Sequence, residues 1–403
     1  MNPKHVLAGL ITLLIIMMIG APVRATEKTT LRKIRSLVQK GSVILTSETG
    51  ERLVSINADT VFVPASIIKI LTAMIARDLL GNDFRFSTGF YMNAQSDLAI
   101  KGFGDPFLVS DEIRIIAQQL KKSGLSRINR IMLDQSYFAD DLAIPGLSNT
   151  SNPYDAVNGA LVVNFNTIHV RKETSGKVVS AEAETPLTPV AIAKAAVIPR
   201  GKTERINLSA KIADCNRYAG ELFSAIFREQ GITIANESIG ETTVDAAWNL
   251  RYLHRNSRPL DNVLNGLLQY SNNFIANQVF LVVPVTSDKT APASMQKSRL
   301  LFENYIRTRL NITADKLIMI EGSGISRGNH MTGNVMISIL ERFKPQADLL
   351  TPKDGHPVKS GTLTGVYNYA GYIKTKRGLR SFVILLNQQK NHRDAILALL
   401  TTF

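Results

Sequence analysis

Two polar residues interrupt an otherwise apolar stretch, Val63-Pro64-Ala65-Ser66-Ile67-Ile68-Lys69-Ile70-Leu71-Thr72-Ala73-Met74-Ile75-Ala76. Ser66 and Lys69 are three apart, so on a helix their side chains leave from one face, a turn from each other. A serine at a helix N-terminus beside a lysine that must lose its proton in an apolar setting is the S-x-x-K arrangement for acyl transfer. Burial and a second nearby cation depress the lysine pKa and make it a base. On this stretch alone, an N-capping Ser66 and a Lys69 snorkelling to the surface account for the pattern equally well.

Two later motifs break the tie. Ser271-x-Asn273 is, singly, a loop between helices, and Lys359-Ser360-Gly361-Thr362 is, singly, the entry to a strand. Each also has a task in serine acyl transfer without histidine. Ser271 can relay a proton between Lys69 and a leaving amine. Asn273 carries a donor and an acceptor for a substrate amide. Lys359 supplies positive charge for an anionic substrate end and lowers the pKa of Lys69. Gly361 lets a substrate backbone lie along the strand edge, and Thr362 offers a hydroxyl for a carboxylate and a backbone N–H for an oxyanion. All three motifs occur in order on suitable elements, and that conjunction favours catalysis.

The elements that must position these residues are legible from periodicity. Pro64 suits a helix entry, since its fixed φ and missing N–H cost nothing there. The apolar run Ile67–Leu80 predicts a helix buried inside a domain, closed near Gly81-Asn82-Asp83. A helix over Thr30–Lys40 and a hairpin of Ser42–Thr46 with Arg52–Ile56 precede it. From about Phe84 the character changes to short strands and loops, including Ile128–Leu133 and Leu161–Val170, with helices at Asp111–Lys122 and Tyr218–Gln230. After Arg258-Pro259-Leu260 helices return, at Val263–Tyr270, Phe274–Val282, Ser298–Leu310 and Val335–Phe343. Strands Pro357–Thr362, Tyr369–Lys374 and Arg380–Leu386 and a helix from about Asn391 close the chain. Similar ends around a foreign middle predict an α+β catalytic domain of residues 26–83 and 258–403 with an inserted accessory domain over 84–257.

Residues 1–25 read as a secretory signal peptide: Lys4 and His5, an apolar run from Val6 to Ile19, and a small-residue exit at Ala25. The run is short for a bilayer span, which argues for cleavage over a retained anchor. Cys215 is the single cysteine, so no internal disulfide can form, and a bacterial periplasm is the expected compartment. The net charge of +14 falls to +12 when Lys4 and Arg24 leave with the signal, since no acid leaves with them. Such a surface suits peripheral association with membrane or anionic wall polymers. Nucleic acid fits poorly, because no basic stripe is interleaved with aromatics. The six histidines form no H-E-x-x-H and no local zinc pair, so neither a metal nor an organic cofactor is expected.

The three motifs resemble those of the penicillin-recognising serine enzymes. Further segments narrow the resemblance: Gly102-Phe-Gly-Asp-Pro106, Asp134-Gln-Ser-Tyr-Phe138, Leu161-Val-Val-Asn-Phe-Asn166, Tyr218-Ala-Gly-Glu-Leu-Phe223, Gly322-Ser-Gly-Ile-Ser-Arg327 and Lys359-Ser-Gly-Thr-Leu-Thr-Gly365. The chain is similar over nearly all its mature length to the D-alanyl-D-alanine carboxypeptidase/endopeptidase family of the penicillin-binding protein 4 type. The resemblance implies a β-lactamase/transpeptidase-like domain with a strand-rich insertion, a periplasmic enzyme, peptidoglycan stem peptides as substrates and β-lactams as inhibitors. It implies Ser66, Lys69 and Ser271 as catalytic, with Asn273, Lys359, Ser360, Gly361 and Thr362 binding substrate. Three departures stand out: Asn272 and Glu321 occupy positions where the family usually has aspartate, and the inserted region is shorter than in the family's larger members. A serine β-lactamase-like hydrolase shares the motif logic without a reason for so large an insertion. A catalytically silent wall-binding protein would bury Lys69 at a cost without a role.

Overall fold

The computed structural model describes residues 27–403 apart from residues 149 and 289. The expected signal peptide lies outside the described residues. Among the described residues, no helix is long and apolar enough to cross a membrane. The described chain divides into two compact units, one of residues 27–64 with 330–348 and 352–403, the other of residues 65–329 and 349–351.

The first unit is built on a six-stranded sheet, in the order Thr351–Lys353, His356–Leu363, Val366–Thr375, Gly378–Leu386, Gly41–Thr46 and Arg52–Ile56. Pairing is antiparallel from His356–Leu363 onward. Alternate residues Val43, Leu45, Phe382, Ile384 and Leu386 form one face, which packs with Ile34 of the helix over 27–37 and with Ile396, Leu397 and Leu400 of Arg393–Leu400. That period of two against a helical stripe is the pattern a half-covered sheet requires. The helix Gly333–Phe343 adjoins the same strands, and the buried Tyr372 hydroxyl donates to Leu340 O at 2.7 Å.

The second unit holds the helices Lys69–Leu80, Leu260–Gln269, Asn273–Ser287 and Met295–Arg309, which pack on one another. It also contains a five-stranded mixed sheet in the order Ile239–Glu241, Ile131–Asp134, Leu98–Gly102, Ser87–Met92 and Asn249–Arg255. The first three strands are parallel, and the other pairs are antiparallel. Helices Ser110–Lys122 and Ile212–Glu229 supply Ile113, Ile116, Leu120, Leu222, Phe223 and Phe227 to a core drawn wholly from residues 90–234.

Three local expectations are corrected. Ile128–Leu133 is two short strands, Arg127–Ile128 and Ile131–Asp134, which join different sheets. Leu161–Val170 is not one strand. Asn164, Phe165 and Asn166 have φ of 48°, 60° and 51°, a left-handed turn that delays the strand to Thr167–Lys172. Asparagine tolerates that region, and Asn164 is held there because its side chain accepts from Ser110 N–H at 3.0 Å and donates to Ser110 Oγ and Tyr218 Oη. Finally, the helix expected from Ile67 begins at Lys69, after a tighter 3₁₀ turn over Ala65–Ile68. Its burial ends at Ala76, with Asp78 and Leu79 exposed.

Candidate active site

Ser66 sits in the 3₁₀ turn that leads into the helix of Lys69, so the i, i+3 spacing still brings the two side chains together. Lys69 is completely buried, and its Nζ lies 2.9 Å from Ser66 Oγ, 2.8 Å from Asn273 Oδ1 and 2.6 Å from Ser323 O. Two of these oxygens are pure acceptors. A neutral amine has two hydrogens and one lone pair, so giving its hydrogens to Asn273 Oδ1 and Ser323 O turns the lone pair to the Ser66 hydroxyl. A charged ammonium gives its third hydrogen to the same Ser66 Oγ. The set therefore serves the lysine both before and after it takes the serine proton.

Asn273 opens the helix Asn273–Ser287, where it faces Lys69. Its Nδ2 donates to Tyr154 O at 3.4 Å. The expectation gave Asn273 to a substrate amide; here one acceptor site of its oxygen serves the lysine, and a second acceptor site and a second amide hydrogen remain. Ser271, two residues earlier, has φ of 52°, the left-handed junction between helices Leu260–Gln269 and Asn273–Ser287. Asn272 caps the second helix by accepting from Ile275 N–H at 3.0 Å. Asparagine and aspartate cap equally well, which explains why Asn272 is tolerated at this position.

The third contact of Lys69 comes from the loop that follows Glu321. Glu321 is completely buried, and one carboxylate oxygen accepts from Ser323 N–H and Oγ–H, each at 2.7 Å. The other accepts from Gly324 N–H at 2.7 Å, Ser326 N–H at 3.2 Å and the Asn329 side-chain amide. The carboxylate thus gathers the loop's N–H groups on one side and leaves Ser323 O to face Lys69. Thr72 Oγ1 donates to Gly322 O at 2.6 Å and Gly322 N–H to Asn277 Oδ1 at 2.8 Å, which ties the loop to the helices Lys69–Leu80 and Asn273–Ser287. Gly324, at φ of 82°, passes so close to Ala65 that a Cβ there would lie 2.0 Å from Ala65 O. Ala65 itself has φ of 48°, a strained conformation immediately before Ser66. The signal available in sequence was the acidic residue before Gly322-Ser323-Gly324. Its role needed the fold.

Lys359, Ser360, Gly361 and Thr362 lie on His356–Leu363 in the other unit. Along this strand Lys359 and Gly361 are buried and Ser360 and Thr362 exposed. Lys359 is 2% exposed, and burial lowers its pKa to about 8. A two-residue turn at Asp354-Gly355, both left-handed, links this strand to its short edge neighbour. The neighbour is too short to reach Gly361 or Thr362. Cys215 is buried in Ile212–Glu229, and desolvation raises its thiol to about 12, so it has no nucleophilic form at neutral pH.

A sequence model of the D-Ala-D-Ala carboxypeptidase 3 (S13) family matches residues 30–197 and 192–358. The chain belongs to this family. As a family member it is 25% identical over 398 residues to D-alanyl-D-alanine carboxypeptidase DacB of Haemophilus influenzae, covering 82% of this chain and 81% of that one. It is 24% identical over 419 residues to a D-alanyl-D-alanine carboxypeptidase of an Actinomadura species, covering 86% and 77%. Among solved structures, penicillin binding protein 4 from Haemophilus influenzae superposes with a TM-score of 0.73 at 20% identity, over 92% of this chain and 98% of that one. A second structure of that protein, complexed with a β-lactam, gives a TM-score of 0.69 at 22% identity and the same coverage. The α+β fold read from the sequence is therefore the fold of the S13 enzymes.

Proposed function

We propose that Ser66 is the nucleophile and Lys69 its base in a serine D,D-carboxypeptidase acting on peptidoglycan stem peptides. The observation that carries this reading is the triple contact of buried Lys69 with Ser66 Oγ, Asn273 Oδ1 and Ser323 O. The Ser66 oxygen attacks the carbonyl carbon between the last two D-alanines as its proton passes to Lys69. The proton then moves through Ser271 to the leaving nitrogen, the C–N bond breaks, and D-alanine departs, leaving an ester on Ser66. Water, deprotonated by the same lysine, cleaves the ester and restores the serine. Lys359, Ser360, Gly361 and Thr362 bind the substrate strand and its anionic end. No step draws on a metal or organic cofactor.

The same serine opens β-lactam rings and is trapped, because the amine released by C–N cleavage stays tethered to the acyl group through the opened ring and cannot depart. The β-lactam complex of the Haemophilus protein supports this reading. Residues 84–257 form an accessory insertion, a reading supported by a hydrophobic core made from that region alone. The D-alanyl–diaminopimelate cross-link offers the same scissile bond, so endopeptidase activity belongs to the proposal, with the periplasm as the compartment.

Intact-mass spectrometry after incubation with benzylpenicillin tests the assignment. A stoichiometric adduct on the wild type, absent from Ser66→Ala, is the expected result. No adduct on folded wild-type protein favours a silent wall-binding protein, and an adduct that persists in Ser66→Ala moves the nucleophile elsewhere. Digestion of a purified cross-linked muropeptide dimer reads the endopeptidase activity, and unchanged dimer removes that part.

A further inference from the structure

Thr362 is not alone on its strand. Arg393, the first residue of the last helix, donates from Nη1 to Thr362 Oγ1 at 2.7 Å. Its guanidinium stacks over the Tyr369 ring at 4.5 Å from the centroid. The nearest acid in sequence, Asp394, is already engaged by the Tyr369 hydroxyl at 3.0 Å and by Lys353 at 3.0 Å. The Arg393 charge adds to Lys353 and Tyr369 in holding the Asp394 carboxyl low, but among the described residues no carboxylate lies within ion-pair distance of its guanidinium, and its Nε is buried with no hydrogen-bond partner. A guanidinium offers five donors in a planar fork suited to carboxylates, and stacking on an aromatic ring fixes the plane of that fork. Here the fork is held in place, yet one of its donors goes to a neutral hydroxyl and another to nothing. A threonine that accepts from an arginine keeps its own O–H to donate, and Thr362 is exposed.

We propose that Arg393 and Thr362 together form the receptor for the substrate's terminal carboxylate, with Arg393 as the charge that distinguishes a free C-terminus from an amidated one. The inference rests on the reading of Thr362 as substrate-binding and adds a residue outside the three motifs. It explains why the guanidinium is held beside Thr362 with no carboxylate bonded to it: the carboxylate it meets is the substrate's.

The test compares two peptides ending in D-alanyl-D-alanine, one with a free carboxylate and one with a C-terminal amide, on wild type, Arg393→Gln and Arg393→Lys. Wild type is expected to prefer the free acid. Arg393→Gln is expected to raise KM for the acid about tenfold with kcat changed far less, and to leave the amide's kcat/KM within about twofold, so that discrimination falls about tenfold while Lys359 keeps its own share. Arg393→Lys keeps the charge and is expected to recover part of the discrimination. An active wild type whose acid-over-amide ratio is unchanged in Arg393→Gln overturns the proposal alone. Equal loss on both peptides also overturns it, because a packing role for Arg393 on Tyr369 predicts that result. A folded wild type that cleaves neither peptide overturns the underlying carboxypeptidase reading and this proposal with it.

Discussion

The carbonyl oxygen of Ser323 lies 2.6 Å from Lys69 Nζ and points there because Glu321, two residues earlier, holds the Ser323 amide and hydroxyl on its own carboxylate. The buried Lys69 amine is thus oriented by a backbone group that is itself oriented by a buried acid.

Lys69→Met is expected to slow β-lactam acylation about a thousandfold, the range of a lost general base. Stability should change little, because removing the desolvation cost of a buried amine offsets the donors lost by Asn273 Oδ1 and Ser323 O. Acylation rates by mass spectrometry, with thermal unfolding in parallel, check both parts.

Glu321→Ala removes the acceptor for three buried backbone N–H groups, and should cost about 3 kcal/mol of stability and slow acylation as Ser323 O loses its aim. Glu321→Asp, shorter by one methylene, should fall between Ala and wild type. Urea denaturation together with the acylation rate reads this order. Wild-type acylation in a destabilised Glu321→Ala would separate the loop's folding role from its catalytic one.

Gly324→Ala places a methyl group against Ala65 O at a left-handed position. The turn carrying Ser66 has to move, so acylation should fall at least about a hundredfold, since displacements of an ångström cost that much at a reacting centre. Burst kinetics with a chromogenic β-lactam would measure it, and a wild-type burst would mean the turn can yield.

The pKa of Lys359 is lowered to about 8 from an ordinary 10.5 by burial. The unfolded chain therefore binds the proton more tightly than the folded one, and stability rises with pH between those two values. The cost of burying the charged amine, about 3 kcal/mol, is present in full below pH 8 and gone above pH 10.5. Lys359→Met should abolish this rise in chemical denaturation curves taken at pH 7.5 and 10. Function runs the other way: KM for a peptide with a free carboxylate should increase as pH passes through about 8 and Lys359 loses its charge. A KM flat from pH 7 to 9.5 would remove Lys359 from anion binding.

What the amino-acid sequence determined by itself was everything set by short spacing or by composition. Ser66 and Lys69 meet because they are three apart, and they do so even though the turn that carries them is 3₁₀ where a regular helix was expected. Asn272 and Asn273 begin a helix for local capping reasons, and the closing strands announce themselves by alternation. The tertiary structure decided the rest. Three successive left-handed residues at Asn164–Asn166 override a strand pattern because Ser110 and Tyr218, distant in sequence, capture the Asn164 side chain. Ser323 O reaches Lys69 across 254 residues, and Arg393 reaches Thr362 across 31. Backbone carbonyls carry no residue signature, and an arginine shows no partner until the sheet and the last helix bring one to it. Such contacts depend on how buried groups find acceptors in three dimensions, and periodicity along one chain does not encode that.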